Sequence, residues 1–290
     1  MRVISSITAA IGGLFLLALS PVQAASPAIT VNAIRVPGWN IIADTLAGMA
    51  TVVNGKRNDI IMQQTCNLAW GDSTQQEVNA ALAKSNIDAE KIPLVGNSLS
   101  MLVNGDTLQQ QIACTAWMSN SLFATPDSER YLEDAPATKD KPAKKVFSQT
   151  RFAEDTRASI AVARATAQLY AVIAENLQQQ PATDWAGWQQ RIKTIVAFYA
   201  PEYLKSIRTY HAADIGKPLI TNSITGHGYD VSLTDGFRLV KNGADVTLLS
   251  RNVVWLGGGK ILGQDFFFRV AIFAQPAVQE SPKASKNKKK

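Results

Sequence analysis

The sequence has little of what most catalytic and metal sites need, since its 290 residues include only two cysteines and two histidines. A structural zinc site takes four cysteine or histidine ligands, so all of these residues would have to meet in one place. The chain also lacks the Gly-x-Ser-x-Gly motif of serine hydrolases and a complete phosphate-binding loop. We therefore expect neither a cofactor nor a metal, and no motif fixes a reaction.

Long apolar runs are missing beyond the first two dozen residues. Within them, Arg2 precedes an apolar run over residues 9–19, and residues 22–24 match the small-x-small pattern of a signal-peptidase site. We expect residues 1–24 to be a signal peptide that is removed on export. The mature chain would then be periplasmic or secreted and would have no transmembrane segment.

The chain also lacks the basic folded surface of a nucleic-acid binder, although its formal net charge is +6. The last eight residues, 283–290, hold five lysines and no acid, and the rest of the mature chain is balanced. Residues 276–290 are therefore expected to be a disordered basic tail. It is either a solubilising end or a contact for an anionic surface or an acidic partner. The lysines that would make this contact include Lys286, Lys288, Lys289 and Lys290.

The two cysteines, Cys66 and Cys114, lie 48 positions apart, and each is followed closely by a tryptophan. An even pair in an exported chain most simply forms one disulfide. Closing a loop of this size would restrict the unfolded chain by about 4 kcal/mol. A redox pair would usually be a close Cys-x-x-Cys, so we predict a structural bridge with Trp70 and Trp117 packed over it.

Residues 25–124 are predicted to form an N-terminal α+β domain with helices on one face of a sheet. The Asn-Gly-Asp sequence at 104–106 is typical of a hairpin turn, which would place Cys114 on a strand. The predicted strands cover residues 28–36, 59–70, 99–103 and 107–117, and the predicted helices cover residues 39–53 and 72–83. The disulfide would then join two strands of this sheet.

Three prolines and ten charged residues mark residues 125–147 as a linker. Beyond it, residues 148–275 are expected to pack helices on a C-terminal antiparallel β-meander. A long helix would begin at Ser148 or Thr150, a second would run from Thr183 to Pro201, and a short third segment would follow. The five predicted strands cover residues 229–233, 237–240, 246–249, 252–256 and 266–273.

Two pairs of residues are weak candidates for a site. His227 lies between two glycines and near Asp230, so it suits a general base oriented by a carboxylate, or else an ordinary glycine-rich turn. Trp185 and Trp188 lie at helical spacing and suggest a sugar or peptide platform, although this spacing is more often that of a core.

Export, one disulfide, a neutral body and the missing catalytic motifs favour a bacterial non-catalytic interaction or accessory protein. Its partner would be another envelope or secreted protein, as for a subunit of a secretion or host-interaction system. The C-terminal sheet edge or an aromatic surface would bind that partner. Two alternatives stay open: an envelope-polymer hydrolase that uses His227 and Asp230, and a protein that binds a small ligand between two domains.

Overall fold

Helices and antiparallel strands both contribute to the fold, in agreement with the predicted mixed class. The computed structural model describes residues 33–36, 40–50, 52–53, 56–57, 59–97, 99–135, 144–179, 184–234, 237–249, 253–261 and 264–273. Its α-helices are α1 (Asn40–Met49), α2 (Asp59–Trp70), α3 (Gln75–Lys84), α4 (Thr107–Ser121), α5 (Gln149–Gln179) and α6 (Trp185–Asp214). Short 3-10 helices cover Ala89–Lys91, Ser100–Leu102 and Ser128–Tyr131.

The largest sheet has five strands, and every described neighbouring pair in it is antiparallel. Its spatial order is β1 (Ala33–Val36), β9 (Asp245–Leu249), β8 (Arg238–Asn242), β7 (Gly228–Leu233) and β6 (Leu219–Thr225). Three two-stranded pairs accompany it: β2 (Val52–Val53) with β3 (Lys56–Arg57), β4 (Leu132–Asp134) with β5 (Lys145–Phe147), and β10 (Val253–Ile261) with β11 (Gln264–Phe273).

The C-terminal strands lie where the sequence predicts them, but the single meander is wrong. The last two strands, β10 and β11, pair with each other, and the N-terminal strand β1 takes the place beside β9. The strand β6 was not predicted at all. The five-stranded sheet therefore combines one strand from the start of the described chain with four from its C-terminal part.

The long helix α5 begins as predicted and is buried on all sides along its middle. Every residue from 160 to 174 is buried except Arg164, Gln168 and Val172, which are partly buried. A helix that is apolar all round must be covered on all faces. It packs on α4 and α6, and also on β1, β9, β10 and β11. Elements from both the N-terminal and the C-terminal parts of the chain thus pack on α5.

The helix α2 corrects the predicted strand at residues 59–70. Its buried residues recur at a spacing of three and four, which is the helical and not the strand period. They are Ile61, Met62, Thr65, Cys66 and Ala69. The short length and the β-branched residues of this stretch favour a strand, but the spacing of its buried residues is that of a helix.

The predicted hairpin over residues 99–117 is also wrong, because a 3-10 turn and the helix α4 occupy this stretch. The chain does turn at the predicted place, where Gly105 has a φ of +69°. Asp106, however, accepts a hydrogen bond from the backbone N–H of Gln109 at 3.0 Å and so caps α4. An Asn-Gly-Asp sequence suits an N-cap as well as a hairpin.

The helix α6 runs through Pro201, where the sequence predicts an end. Proline removes one backbone donor and normally interrupts a helix. Here the apolar stripe continues on both sides of it, with Val196 and Ala200 buried before Pro201 and Leu204 buried after it. Burial of this stripe explains why one helix replaces the two predicted segments.

The predicted disulfide is confirmed, with Cys66 and Cys114 bonded and their Cα atoms 5.0 Å apart. Both residues are fully buried, and the bond joins α2 to α4 instead of two strands. Trp117 packs beside two hydrophobic clusters. The smaller one lies between α2, α3 and α4, and the larger one includes α1, α5, α6 and the sheet.

The larger cluster draws residues from both predicted domains and from the predicted linker. Tyr131 and Phe147 lie within residues 125–147, and their rings are 5.8 Å apart. Tyr131 also meets Phe152 of α5 at 5.1 Å. Whether residues 25–124 and 148–275 fold separately stays a prediction, and residues 1–24 and 276–290 lie outside the described residues.

Removing the disulfide by replacing Cys66 and Cys114 with alanine should lower the free energy of unfolding by about 4 kcal/mol, because the unfolded chain loses its crosslink. Urea titration followed by circular dichroism would measure this loss. Reduction of the parent protein should have a comparable effect. Two free thiols in the unreduced protein would contradict the bond.

Replacing Gly228 with alanine should destabilise the sheet, because a Cβ at this position would lie 2.2 Å from the carbonyl oxygen of Lys241. We expect a loss of about 1–3 kcal/mol, the usual cost of overpacking. Gly226 is the matched control, since a Cβ there would meet nothing within 4 Å. Equal urea midpoints for the two variants would contradict the close backbone approach.

Candidate functional site

The strand β6 forms one edge of the five-stranded sheet. It pairs with β7 on one side, and no strand of the described chain pairs with it on the other. Its sequence, Leu-Ile-Thr-Asn-Ser-Ile-Thr, is rich in β-branched residues and contains no charge and no proline. Residues 220–223 are exposed.

A β-bulge at Asn222 divides β6 into two short stretches. Thr221 pairs with Val231 and Ser223 with Asp230, so Asn222 is the additional residue. Before and after the bulge, Leu219 and Ile224 both pack against the core. Ile220 faces the other way and is 49% exposed. The bulge thus lets both ends of β6 anchor in the core while the middle stays in contact with solvent.

Polar side chains of three strands form a network on the outer face of the sheet. Asn222 donates from its amide to Asp230 at 2.9 Å and to Ser232 at 2.8 Å. Arg238 donates from Nε to one carboxylate oxygen of Asp230 at 2.8 Å and from Nη2 to the other. The guanidinium, with help from Asn222, holds the pKa of the Asp230 carboxyl below its ordinary value. The network fixes the bulged part of β6 to β7 and β8.

A buried ion pair fixes the turn that leads from α6 into β6. Asp214 is fully buried, and its carboxylate accepts from Arg164 at 3.3 Å and from Lys217 at 2.9 Å. The Arg164 guanidinium lies between the rings of Tyr210 and Phe237, at 3.9 and 4.1 Å from their centroids. Removing one partner of such a pair leaves an uncompensated charge in the core, which is strongly destabilising. The start of β6 is therefore held in place.

Lys241 is the one lysine on the inner, core-facing side of the strands β7, β8 and β9. It is only 8% exposed, and its Nζ donates to the backbone oxygen of Ala124 at 3.0 Å. Burial, and to a lesser extent the charge of Arg130, lowers the pKa of Lys241 to about 8. This contact ties β8 to the segment that follows α4.

His227 and Asp230 are close in the sequence, but they lie in different surroundings in the structure. His227 is exposed in the β6–β7 turn, where its backbone oxygen accepts from the N–H of Gly243 at 2.8 Å. Both carboxylate oxygens of Asp230 are engaged by Arg238, so the carboxylate is committed to an ion pair. The catalytic use of His227 and Asp230 stays a prediction. The backbone of His227 lies in the turn between β6 and β7, as the alternative interpretation expects.

The structure separates the two tryptophans of the predicted platform. Trp188 is 6% exposed and belongs to the larger core cluster, whereas Trp185 is 47% exposed at the start of α6. The side chain with the greatest apolar exposure on α6 is Phe198, at 88%. The four candidate lysines of the tail lie outside the described residues.

The strand β6 and the inward lysine were both missed from the sequence. The β-branched run after Pro218 is a strand signal that was available. Lys241 lies two residues after Leu239, so both side chains face the core in the alternation of a strand. Because Lys241 is charged, the sequence does not show this position as a core position. The bulge, which decides the two faces of β6, has no sequence signal of its own.

The described residues contain no cluster of three or more metal-ligating side chains. Among the same residues, no helix combines the length and the apolar character needed to cross a membrane. No protein family, curated protein or solved structure matches the chain.

The depressed pKa of Lys241 predicts a pH dependence of stability. Its folded pKa of about 8 lies below the ordinary value of 10.5, so between these values the unfolded state binds more protons. The free energy of unfolding should then rise with pH across this window, and the contribution should be lost as pH falls towards 8. Urea titrations at several pH values would measure the slope.

The control for this measurement is a pair of lysine-to-methionine variants. Lys241→Met should remove the rise between pH 8 and 10, whereas Lys205→Met should keep it, since the Lys205 side chain is 75% exposed. An unchanged slope in Lys241→Met would contradict the burial of a titrating ammonium.

Proposed function

We propose that the protein is an exported, non-catalytic interaction protein that binds an extended segment of a protein partner along β6. The observation that carries this proposal is the exposed, uncharged edge of the five-stranded sheet. An edge strand presents a row of backbone donors and acceptors that another strand can pair with. Peptide addition to such an edge is a common recognition mode, in which backbone hydrogen bonds supply affinity.

The composition of β6 supports binding more than protection. Natural edge strands are usually shielded by lysine, proline or an inward charge. β6 has none of these within Leu219–Thr225, and its outer face carries the half-exposed Ile220. The one protective feature is the bulge at Asn222, which interrupts regular pairing. A partner must match two short stretches and their offset, which favours a specific ligand over arbitrary aggregation.

The fixed position of β6 also supports this role. The Asp214 ion pair holds its beginning, and the Asn222–Asp230–Arg238 network holds its middle. An ordered edge needs little further ordering when a partner binds, and this reduces the entropic cost of association. The hydrolase alternative has less support, because Asp230 already forms an ion pair.

The proposal is tested by a photo-crosslinking amino acid placed at Ile220 in the full chain, expressed in the cells that produce it. We expect one defined protein to be captured, with the crosslink in an extended segment of that protein. The matched control places the same amino acid at Phe198, which is more exposed but lies on α6. Capture of the same protein at both positions, or of none at Ile220, would reject β6 as the binding site.

Charge on the edge should weaken the same complex. Ser223→Lys adds an exposed cation to the outward part of β6, and we expect at least about a tenfold loss of affinity for the captured segment, equivalent to about 1.4 kcal/mol. Phe198→Lys adds the same charge elsewhere and should leave the affinity unchanged. Calorimetry with the purified segment would measure both. Equal affinities would mean that the segment binds away from β6.

A further inference from the structure

The bulge changes the order in which the side chains of β6 alternate between the two faces of the sheet. Thr221 lies opposite Val231, which is buried, so Thr221 is on the inner, core-facing side. Asn222 donates to Asp230, and Ser223 lies opposite Asp230, so both of these residues are on the outer face. The faces of residues 219–225 are therefore inner, outer, inner, outer, outer, inner and outer.

The order of these faces limits which strands can pair with β6 along its whole length. A regular strand alternates strictly, so it matches the faces of β6 either before or after the bulge, but not in both stretches. A second copy of β6 has the same change of order. If the two copies run antiparallel about a two-fold axis at the bulge, every pair has both of its side chains on one face. The pairs are Ile220 with Thr225, Thr221 with Ile224, and Asn222 with Ser223.

The side chains of these pairs suit cross-strand contact. Four of the six residues are β-branched, and such residues pack well against neighbours on an adjacent strand. At the centre, Asn222 uses its amide nitrogen for two hydrogen bonds within the sheet. Its amide oxygen can therefore accept from the hydroxyl of Ser223 of the second copy. Ile220, which is 49% exposed in a single copy, would be covered by Thr225 of the other.

The charge of the edge also allows two identical copies to meet. The strand β6 has no charged residue, so no like charges would lie opposite each other in the paired strands. Two ion pairs beside it are formed within one copy, since Lys217 bonds Asp214 and Arg238 bonds Asp230. An edge that carried charge of one sign would repel a second copy of itself, and β6 avoids this repulsion.

We propose that β6 pairs in the antiparallel direction with β6 of a second copy of this chain, so that the two five-stranded sheets become one continuous sheet. This inference rests on the proposed function, because it names the partner of β6. The paired edge has only six residues per copy and is small for a protein interface, so we expect a dissociation constant of roughly 1–100 µM. The dimer would then exchange with single chains, and dilution would expose β6.

Cysteine crosslinking of the purified full chain tests the alignment. A disulfide needs Cα atoms closer than about 7 Å, and residues directly opposite in an antiparallel pair are about 5 Å apart. A mixture of an Ile220→Cys chain and a Thr225→Cys chain should therefore form a linked dimer under mild oxidation. The two cysteines of the parent chain are bonded to each other, so they do not compete.

Each cysteine variant alone is the matched control. In the proposed alignment, position 220 of one copy and position 220 of the other are five positions apart along the paired strands, which corresponds to about 17 Å. We expect at least about fivefold more linked dimer in the mixture than in either variant alone, because only the mixture brings two cysteines opposite each other. Equal yields in all three samples would overturn the proposed pairing.

Sedimentation of the full chain tests the dimer without an added cysteine. Ser223→Lys places two lysines diagonally across the two-fold axis, so the dissociation constant should rise at least about tenfold. Phe198→Lys adds the same charge on α6 and should leave it unchanged. Circular dichroism would check that both variants are folded. The proposal would be overturned by a parent chain that stays monomeric at about 1 mM, or by a dimer that Ser223→Lys weakens no more than Phe198→Lys does.

The photo-crosslinking experiment at Ile220 separates this inference from the proposed function. Capture of a second copy of the chain would support both. Capture of another protein, with a purified chain that stays monomeric, would overturn the second copy as the partner but keep β6 as a binding edge. Capture of no protein at Ile220 would reject both.

Discussion

The burial of α5 on all of its faces is the constraint on which the rest of the structure depends. Small residues along its middle, such as Ala163 and Ala167, allow neighbouring elements to approach closely. The helices α4 and α6 and strands of two sheets all pack on α5, so the helical and the strand parts of the core both depend on it. Its partly buried cation, Arg164, reaches between two rings to Asp214 and connects the core to the end of α6.

The exposed strand β6 follows from this arrangement. The chain leaves α6 at the Asp214 ion pair, turns at Gly216, which has a φ of +82°, and enters the edge of the sheet. Leu219 and Ile224 anchor the ends of the strand in the core, while the bulge keeps the residues between them outside. The accessibility of β6 is thus a property of the packed core and not of a loose surface loop.

The sequence predicts those elements whose local signals agree with their packing. The period of α5, the strands β7 to β9 and the cysteine pair all satisfy this condition. The prediction fails where one local sequence signal is compatible with two different structures. Asn104-Gly105-Asp106 can close a hairpin or cap a helix, and Pro201 can end a helix or be carried through it by a continuous apolar stripe.

The candidate site was predictable only in part, because the sheet edge had been anticipated but β6 had not. The strand β6 is left at an edge because β1 pairs with β9, at the opposite edge of the sheet. This pairing joins residues about 200 positions apart and has no local sequence signal. The ion pair of Asp230 with Arg238 crosses two strands and depends on their register. The sequence around Asp230 therefore gives no sign that Arg238 engages its carboxylate.

The disulfide between α2 and α4 links folding to the chemistry of the compartment. In a reducing environment the same chain would lack a constraint worth about 4 kcal/mol, a large fraction of the net stability of a typical domain. The population of open chains would rise by roughly a thousandfold, since each 1.4 kcal/mol is a factor of ten. Formation of the Cys66–Cys114 bond would therefore decide how often the folded chain opens: the reduced chain would open more readily, and the oxidised chain would stay closed.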